Sequence, residues 1–384
     1  MKFFHLSDLH LGLKLMQRDL REEQEYILGQ VAAAVKAEKP DALIIAGDIY
    51  DKAIPSAEAV TLFDWFIGEL MAAKADLCIM AISGNHDSAP RVNVFRHILA
   101  RQHFHLVGLP PQSAAESIAQ VTLEDDFGKV HFYLLPFVRP SMMRRVLEVP
   151  EGEDLSYDET VRRLLAREKI LAKDRNVLVS HQFYLPLGAE AADIPREDSE
   201  IITVGNIDTV RADVLSPFDY AALGHIHRPM KVGAEKIRYS GTPLAYSVSE
   251  AGQAKGIVTV ELKEKGKMNI DTIPLKPRRA VRTLRGTLEE LLRAASEDYV
   301  TLVVTDPEDI DVIDMQDRLK KAFPFHLDIR RETARAVNYE AAAEGQSVKL
   351  SPMELMDAFL PDLTAEERQV LQDVVNAVQG GEEN

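Results

Sequence analysis

Residues 2–10 read KFFHLSDLH, a short and mostly apolar run that is followed at once by Asp8 and His10. Four later stretches repeat this arrangement, since each ends an apolar run with side chains that bind metal ions or protons. They are Gly47-Asp48, Gly84-Asn85-His86-Asp87, Ser180-His181 and Gly224-His225-Ile226-His227. Because ligands of open α/β sheets bind at the carboxyl ends of the strands, we expect the five segments to build one polar site.

The apolar runs alternate with helical patterns, which is typical of an α/β fold. Near-continuous apolar strands such as Ala42–Ala46 fit a sheet that is covered on both faces. Strands are predicted at 2–6, 42–46, 77–82, 129–135, 176–180 and 219–223, and helices at 18–37 and 56–74. Ser156 and Glu159 have the spacing of a capping box, which predicts a further helix at 161–172.

After His227 the pattern changes to short strands separated by turn residues, at 237–240, 256–262 and 268–273. Residues 1–275 are therefore predicted to form one α/β domain with a mixed, partly antiparallel sheet system. Pro274 and Pro277 bracket a boundary, and 276–340 reads strand, helix, strand, helix, strand, as a small separate α/β unit. Residues 341–384 are predicted to be a linker and two amphipathic helices interrupted by Pro361.

The helix predicted at 351–360 carries an apolar stripe. Such a stripe fits a helix that packs back on its parent domain, and it equally fits a helix that binds a partner protein. The residues of the stripe are Met353, Leu355, Met356, Phe359 and Leu360.

Composition indicates a globular protein of the cytoplasm. Apolar residues make up 46% and charged residues 28% of the 384, no apolar stretch is long enough to span a membrane, and the first residues lack a signal peptide. A lone cysteine, Cys78, excludes a disulfide framework. The net charge of −16 argues against a protein that coats nucleic acid, but not against a nuclease, because local charge and bound cations decide contact.

One segment is basic against this background. It fits contact with DNA, and it fits equally well a solvated linker that leads into an edge strand. Its basic residues are Lys276, Arg278, Arg279, Arg282 and Arg285.

The ligand types at the strand ends indicate the class of metal. Imidazole and carboxylate oxygen without thiolate suit Mn²⁺, Fe²⁺ or Zn²⁺ in a catalytic site. Seven ligands fit two ions that share one bridging carboxylate, and Asp48 is predicted to be the bridge because it follows a central strand. Two ions roughly 3.5–4 Å apart activate water and contact both oxygens of an in-line displacement at phosphorus. The predicted ligands are Asp8, His10, Asp48, Asn85, His181, His225 and His227.

His86 lies beside the ligand Asn85 but need not bind metal itself. A histidine next to a dinuclear centre can donate a proton to the leaving oxygen. We expect Asp87, or else Asp51, to orient it. The alternative is that His86 is a further ligand or a support for one.

In order and completeness these motifs resemble the signature of the calcineurin-like metallophosphoesterases, over residues 1–275. The resemblance implies a four-layer α/β/β/α sandwich with two mixed β-sheets, plus the small α/β unit and C-terminal helices. It implies that Asp48 binds both metals and that His86 is the catalytic histidine. The implied partners of Asp48 are Asp8, His10 and His227 at one metal, and Asn85, His181 and His225 at the other.

Within that family the chain is similar to the SbcD nuclease subunits in residues 4–12, in Gly47–Asp51 and in the turn at 240–243. It lacks the arginine that follows Gly-Asp in protein phosphatases. The similarity implies a Mn²⁺-dependent 3′–5′ double-strand exonuclease and single-strand or hairpin endonuclease. It further implies a capping domain at 276–340 and C-terminal helices that bind an SbcC-type coiled-coil ATPase. Asp51 departs from archaeal and eukaryotic relatives, which have a histidine there.

Two other functions remain open from the sequence. The first is a small-molecule phosphodiesterase of the same fold, and the second is a non-catalytic scaffold that binds partners through 351–378. The SbcD resemblance also implies a homodimer within a heterotetramer. Residues 57–70 and 88–100 are the candidate dimer helices.

Overall fold

The computed structural model describes residues 1–200, 208–306, 312–332 and 364. Its first sheet has six strands, and the four that run from Lys2–Leu6 to the far edge are parallel. The other two join antiparallel. In spatial order the strands are Met268–Pro274, Gly256–Leu262, Lys2–Leu6, Ala42–Ala46, Cys78–Ile82 and Phe104–Val107.

The second sheet also has six strands, four of them parallel, with an antiparallel strand at each edge. Its order is Met230–Val232, Ala234–Tyr239, Tyr220–Gly224, Arg175–His181, Gly128–Leu135 and Ala119–Asp125. The main body also contains two short pairs of strands. Lys14–Leu15 pairs with Arg18–Asp19, and Phe183–Leu185 pairs with Thr209–Arg211.

The two sheets pack face to face over an apolar core. Phe3 from the first sheet meets Phe132 and Tyr220 from the second in edge-to-face contacts, each with ring centroids 5.6 Å apart. Burying rings of this size contributes about 1.5–3 kcal/mol each, so this layer holds the sheets together. The two sheets therefore act as one rigid support.

Helices cover the outer face of each sheet. Arg21–Glu38 and Ala57–Ala73 pack on the first sheet, and Pro140–Met143 and Tyr157–Ala166 pack on the second. Short helices at Ala89–Val92 and Arg96–Leu99 precede the edge strand of the first sheet. The result is the expected four-layer α/β/β/α sandwich, which confirms the predicted fold class.

A third sheet forms the small C-terminal unit. Three parallel strands, Val281–Gly286, Tyr299–Val304 and His326–Arg331, alternate with the helices Leu288–Arg293 and Val312–Ala322. The unit contacts the main body near the first long helix, where the Arg279 guanidinium pairs with Glu23 and lies 4.1 Å from the Phe325 ring centroid. Val281 and Tyr299 continue the apolar core of the first sheet.

Two helix boundaries were wrong. The first long helix begins at Arg21 rather than 18, because Arg18–Asp19 forms a hairpin with Lys14–Leu15. The helix predicted at 161–172 spans Tyr157–Ala166. Ser156 does cap it by accepting from the Glu159 amide (3.1 Å), but the Glu159 carboxylate pairs with Arg163 instead of closing the box.

None of the helices in the described ranges combines the length and the apolar character needed to cross a membrane. The stripe predicted to bind a partner, from Met353 to Leu360, lies outside the described residues.

Candidate metal centre

The polar segments lie at the carboxyl ends of neighbouring strands from both sheets. Lys2–Leu6 leads to Asp8 and His10, and the adjacent strands Ala42–Ala46 and Cys78–Ile82 lead to Asp48 and Asn85. In the second sheet His181 ends one strand and is paired with Gly224 at the end of the next, directly before His225. Parallel order in each sheet thus brings distant parts of the sequence to one edge, as predicted from the strand pattern.

The backbone is strained where these side chains leave the strands. Asp8, His10, Asp48 and His225 all have positive φ, at 54°, 42°, 49° and 103°. Such conformations are unfavourable for residues with a side chain and persist where the surrounding structure enforces them. Here one enforcing contact joins the two sheets, because the His225 amide donates to the Asp8 carboxylate (3.0 Å).

Two glycines allow the loops to approach closely enough. A Cβ atom at Gly84 would lie 2.1 Å from Oδ1 of Asp48. A Cβ atom at Gly47, where φ is +91°, would lie 2.2 Å from Nδ1 of His181. Any side chain at these positions would push a ligand out of place, so both motifs need glycine.

Asp48 lies at the centre of the site. Its Oδ2 atom is 3.1 Å from Nε2 of His181 and 3.7 Å from Nε2 of His10. Nε2 of His10 in turn faces Nε2 of His227 at 3.1 Å. One carboxylate therefore contacts histidines of both predicted metal positions.

Asn85 completes the second position. Its Oδ1 atom lies 3.0 Å from Nε2 of His181 and 2.9 Å from Nδ1 of His225. Together with Asp8, whose Oδ1 atom is 3.9 Å from Nε2 of His181, all seven predicted ligands are thus brought into one cluster.

The cluster fits divalent cations. Ligand atoms of Asp8, His10 and His227 lie within 4.8 Å of one another, and so do those of Asp8, Asp48 and His181. Nδ1 of His181 contacts the carbonyl of Ala46 (2.7 Å), which can only accept, so Nδ1 carries the proton and Nε2 is left for a metal. In the described part of the chain, buried His225 Nε2 and His10 Nδ1 lack hydrogen-bond partners.

Burial and close charges shift the acidity of the site. Burial raises the pKa of Asp8 to about 6, partly offset by His181 and His227. Burial also tends to raise the pKa of Asp48, but the neighbouring His181 outweighs it and holds that pKa below its usual range. The pKa of His181, lowered by burial and raised by Asp48, ends at about 9. A cation that bound Nε2 of His181 would therefore compete with a proton.

His86 lies at the rim of the site, on the side of His10. Its backbone amide donates to Oδ1 of Asp48 (2.9 Å), and its ring is 4.6 Å from that of His10 in an edge-to-face contact. Nδ1 is 2.9 Å from the backbone carbonyl of Asp51. The half-buried ring is thus held between the Asp51 carbonyl and the His10 ring, and Asp48 holds the backbone of His86.

The expectation that the Asp87 carboxylate orients His86 was wrong. That carboxylate accepts from the backbone amides of Ile49 (3.0 Å), Tyr50 (2.9 Å) and Gly84 (2.9 Å), because it is buried between the two loops. Burial, and then the nearby Asp48, raise the pKa of Asp87 to about 6. Asp87 therefore holds the loops together, and the carbonyl of Asp51 orients His86.

Sequence reasoning missed a polar network behind His227. The Ser199 hydroxyl lies 2.8 Å from Nδ1 of His227 and donates to the buried Glu250 carboxylate (2.7 Å). Glu250 also pairs with Lys255 (2.7 Å) and accepts from Thr242 (2.9 Å). Ser199 and Glu250 are 51 residues apart, so no local pattern marked them.

Ser199→Ala is expected to weaken binding of a divalent cation by about 10- to 100-fold, since the partner that orients a ligating imidazole is typically worth that much. Ser247→Ala is the matched control, because Ser247 also donates to Glu250 (3.2 Å) but no contact with His227 is found among the described residues. Isothermal titration of each protein with Mn²⁺ measures the effect. Equal affinity of the two variants would show that Ser199 does not position His227.

The predicted DNA-binding residues lie on or just before the C-terminal unit. Four of the five form ion pairs, two of them with residues of the main body. Arg279 is only 12% exposed and contacts Glu23 across the boundary, so it joins the unit to the main body. The other three arginines are at least 47% exposed, and Lys276 contacts Gln30 through its backbone. The ion pairs are Arg278–Glu22, Arg279–Glu23, Arg282–Asp298 and Arg285–Glu332.

Comparison with solved structures finds distant similarity. A dimetal phosphatase from Danio rerio shares 13% sequence identity over 72% of this chain and 96% of its own, with a TM-score of 0.43. GAP50, described as the anchor in the inner membrane complex of Plasmodium, shares 9% over 87% of this chain and 98% of its own, with a TM-score of 0.41.

Comparison with protein families is more informative. Residues 1–229 match the calcineurin-like phosphoesterases, and this range contains every predicted metal ligand and His86. Residues 277–363 match the SbcD C-terminal family, described as the type 5 capsule protein repressor C-terminal domain. The chain belongs to the calcineurin-like phosphoesterase family, and its C-terminal match makes it an SbcD-type member.

Proposed function

We propose that the protein is a Mn²⁺-dependent DNA nuclease that degrades duplex ends in the 3′-to-5′ direction and cuts single strands and hairpins. The observation that carries this proposal is the convergence of seven metal ligands and His86 on one edge, joined in the same chain to an SbcD-type C-terminal region. We place this activity in DNA end processing, recombination and repair in the cytoplasm, on the strength of the SbcD resemblance.

Asp8, His10, Asp48 and His227 would hold one ion, and Asp48, Asn85, His181 and His225 the other. Bound ions would supply an activated water and stabilise the charge that develops on the phosphate. The protein itself holds the ligands in strained but rigid positions, which removes the need to reorganise during the reaction.

His86 is the proposed proton donor to the leaving oxygen. Because its Nδ1 atom faces a carbonyl, that nitrogen carries a proton, and the proton that is transferred comes from Nε2 of the imidazolium form. Asp51 would act mainly through its backbone carbonyl. A different side chain at this position, such as the histidine of archaeal and eukaryotic relatives, would then leave the contact with His86 in place.

A cleft beside the centre supports a polymeric substrate. About 610 Å³ of space is lined by Asp51, Lys52, Ser199 and Tyr246 of the main body and by Arg330 of the C-terminal unit. A single small diester needs no second domain beside the metals. A cleft between two units suits a strand that extends beyond the hydrolysed bond, with Lys276, Arg278, Arg282 and Arg285 as candidates for more distant contacts.

The test is to compare hydrolysis of a DNA oligonucleotide and of bis(p-nitrophenyl) phosphate by the purified chain with Mn²⁺. We expect kcat/KM to be far higher for DNA. The reverse preference would favour the small-molecule phosphodiesterase. A native protein that binds no metal would instead favour the non-catalytic scaffold.

An SbcC-type coiled-coil ATPase is the proposed partner of the C-terminal residues Met353, Leu355, Met356, Phe359 and Leu360. The family match over residues 277–363 supports this proposal, since it includes these positions. Co-purification of the two full-length proteins, lost when Phe359 is changed to Glu, would support it. Unchanged co-purification of that variant would count against it.

A homodimer is proposed to form through the short helices that precede the edge strand of the first sheet. This surface exposes Phe95 (69%) and Ile98 (62%), beside an apolar cleft of about 640 Å³ lined by Phe63 and Val94. Exposed apolar area of this kind marks a protein interface.

Phe95→Glu is expected to weaken dimerisation by about 100-fold or more, because a buried aromatic ring contributes about 1.5–3 kcal/mol and a buried carboxylate opposes binding. Sedimentation equilibrium measures the change. Leu187→Glu is the control. Leu187 is as exposed (73%) as Phe95, but it follows the strand Phe183–Leu185, which packs with the second sheet. A wild-type monomer, or equal effects of both variants, would refute this interface.

A further inference from the structure

An aromatic ring lies against the metal centre on the side of His225. Phe137 follows the buried strand Gly128–Leu135, and its amide donates to the carbonyl of Ser83 (3.0 Å). Its ring stacks on the imidazole of His225, with 6.4 Å between centroids and 22° between planes, and is also 6.4 Å from the ring of His181. The ring is half-buried, so it forms part of the wall that faces solvent beside two of the ligands.

Arg139 extends this wall with a positive charge. Its guanidinium lies over the Phe137 ring, 5.5 Å from the centroid, and the side chain is exposed. Contact with an aromatic face orients a guanidinium without neutralising it, because the attraction comes from the ring quadrupole.

Within the described ranges, no carboxylate forms an ion pair with Arg139. Across 1–200, 208–306 and 312–332, no Asp or Glu lies within 4.0 Å of its guanidinium nitrogens. Other arginines close to the centre are paired, Arg196 with Glu200 and Arg228 with Glu197. In a chain with a net charge of −16, an oriented and unbalanced arginine beside a metal site is well suited to bind an anion from outside.

The chemistry of the Arg139 guanidinium indicates which kind of anion it would bind. A guanidinium offers five N–H donors in a planar fork that matches two oxygens of one phosphate. Arg139 lies on the His225 side, whereas the proposed proton donor His86 lies against His10. A strand held across the centre carries one phosphate per nucleotide, so a neighbouring phosphate is expected on the Arg139 side.

We propose that Phe137 and Arg139 form a binding site for the phosphate next to the one that is hydrolysed. This inference rests on the proposed nuclease function and deepens it, because it names a feature that distinguishes a nucleic acid strand from a single diester. Phe137 positions both the His225 ring and the guanidinium, and Arg139 makes the contact. The paired arginines of the C-terminal unit would then contribute less to this first contact than Arg139 does.

The test uses the full chain with Mn²⁺ and measures kcat and KM for a DNA oligonucleotide and for bis(p-nitrophenyl) phosphate, which has no neighbouring phosphate. Arg139→Ala is expected to lower kcat/KM on DNA by about 10- to 100-fold, as a hydrogen bond to a charged group is worth that much, and to leave the small diester unaffected. The kcat/KM of Arg139→Lys on DNA should lie between the values of the wild type and of Arg139→Ala. Arg145→Ala is the matched control, since Arg145 is exposed on the same segment.

A second readout is the dependence of DNA binding on salt, measured by fluorescence anisotropy without metal. Loss of one phosphate contact should reduce the slope of log K against log salt by about 0.7–0.9 in Arg139→Ala but not in Arg145→Ala.

Three results would overturn the inference. If Arg139→Ala cleaved DNA as well as Arg145→Ala does, there would be no such phosphate contact. If it lost activity on DNA and on the small diester equally, Arg139 would support the metal centre rather than the substrate. If the wild type hydrolysed only the small diester, the nuclease proposal itself would fail, and this site with it.

Discussion

Asp48→Ala is expected to lower kcat by at least about 10³-fold on DNA and on a small diester alike, since a single preorganised donor is already worth roughly 10²- to 10³-fold. Asp48 is the carboxylate that His10 and His181 share, and its other oxygen accepts from the His86 amide. The substitution therefore removes the proposed link between the two ion positions. It also removes the acceptor that holds the backbone of His86, the proposed catalytic histidine.

The measurement for this variant is steady-state hydrolysis of both substrates, together with the metal content of the purified protein. Asp64→Ala, which removes an exposed carboxylate from the helix Ala57–Ala73, is the control and should behave as wild type. Asp48→Asn keeps the size of the side chain and should also lose activity, because the amide cannot bridge two cations. Near-wild-type activity of either Asp48 variant would contradict the assignment of Asp48 as the bridge.

His86→Ala is expected to lower kcat on DNA by about 10²- to 10⁴-fold, the usual contribution of a positioned proton donor. The loss on bis(p-nitrophenyl) phosphate should be much smaller, because nitrophenolate leaves without a proton whereas a nucleoside oxygen does not. The same comparison separates His86 from the metal ligands, whose loss affects both substrates. It also separates His86, which acts on kcat, from Arg139, whose main effect is expected on KM and on the salt dependence.

His97→Ala provides the control for this variant, since His97 is an exposed histidine of the short helix Arg96–Leu99. Metal titration should show that His86→Ala still binds two ions. The ligand atom of His86 lies within 4.8 Å of those of His10 and Asp48, but each ion has four other proposed ligands. If His86→Ala lost an ion, the alternative interpretation of His86 as a ligand would be correct. If it lost activity equally on both substrates, the role as proton donor would be wrong.

The central features of the site could be predicted because they are local. Each ligand directly follows an apolar run, so the strand and its polar end lie within about ten residues and need no knowledge of tertiary contacts. Parallel order in the sheets then brings Asp8, Asp48 and His181 to one edge. The position of Asp48 between the two groups of predicted ligands could also be predicted, since its strand lies inside the first sheet.

What could not be predicted depends on contacts between residues far apart in sequence. The Asp87 carboxylate binds amides 37 and 38 residues away, and the spacing of the motif alone favoured its neighbour His86. Arg279 and Glu23 are separated by 256 residues, so the basic run gave no sign that its charges are paired. The predicted start of the first long helix was wrong because Arg18–Asp19 pairs with Lys14–Leu15 in a hairpin and is not helical.

The phosphate site at Arg139 shows a third kind of feature. Nothing in the sequence sets Phe137 and Arg139 apart from other aromatic and basic residues. Their significance comes from the ring of His225, 88 residues away from Phe137 in the chain but stacked on it in the fold. Features of this kind become visible only when the distances around the metal ligands are known.

Cleavage of end-labelled duplex DNA by the purified full-length chain, with Mn²⁺ and with EDTA, tests the account most directly. We predict progressive shortening from the 3′ end with Mn²⁺ by wild type, and intact DNA with EDTA or with Asp48→Asn. Intact DNA in the presence of Mn²⁺, from a protein that binds two ions and hydrolyses bis(p-nitrophenyl) phosphate, would contradict it.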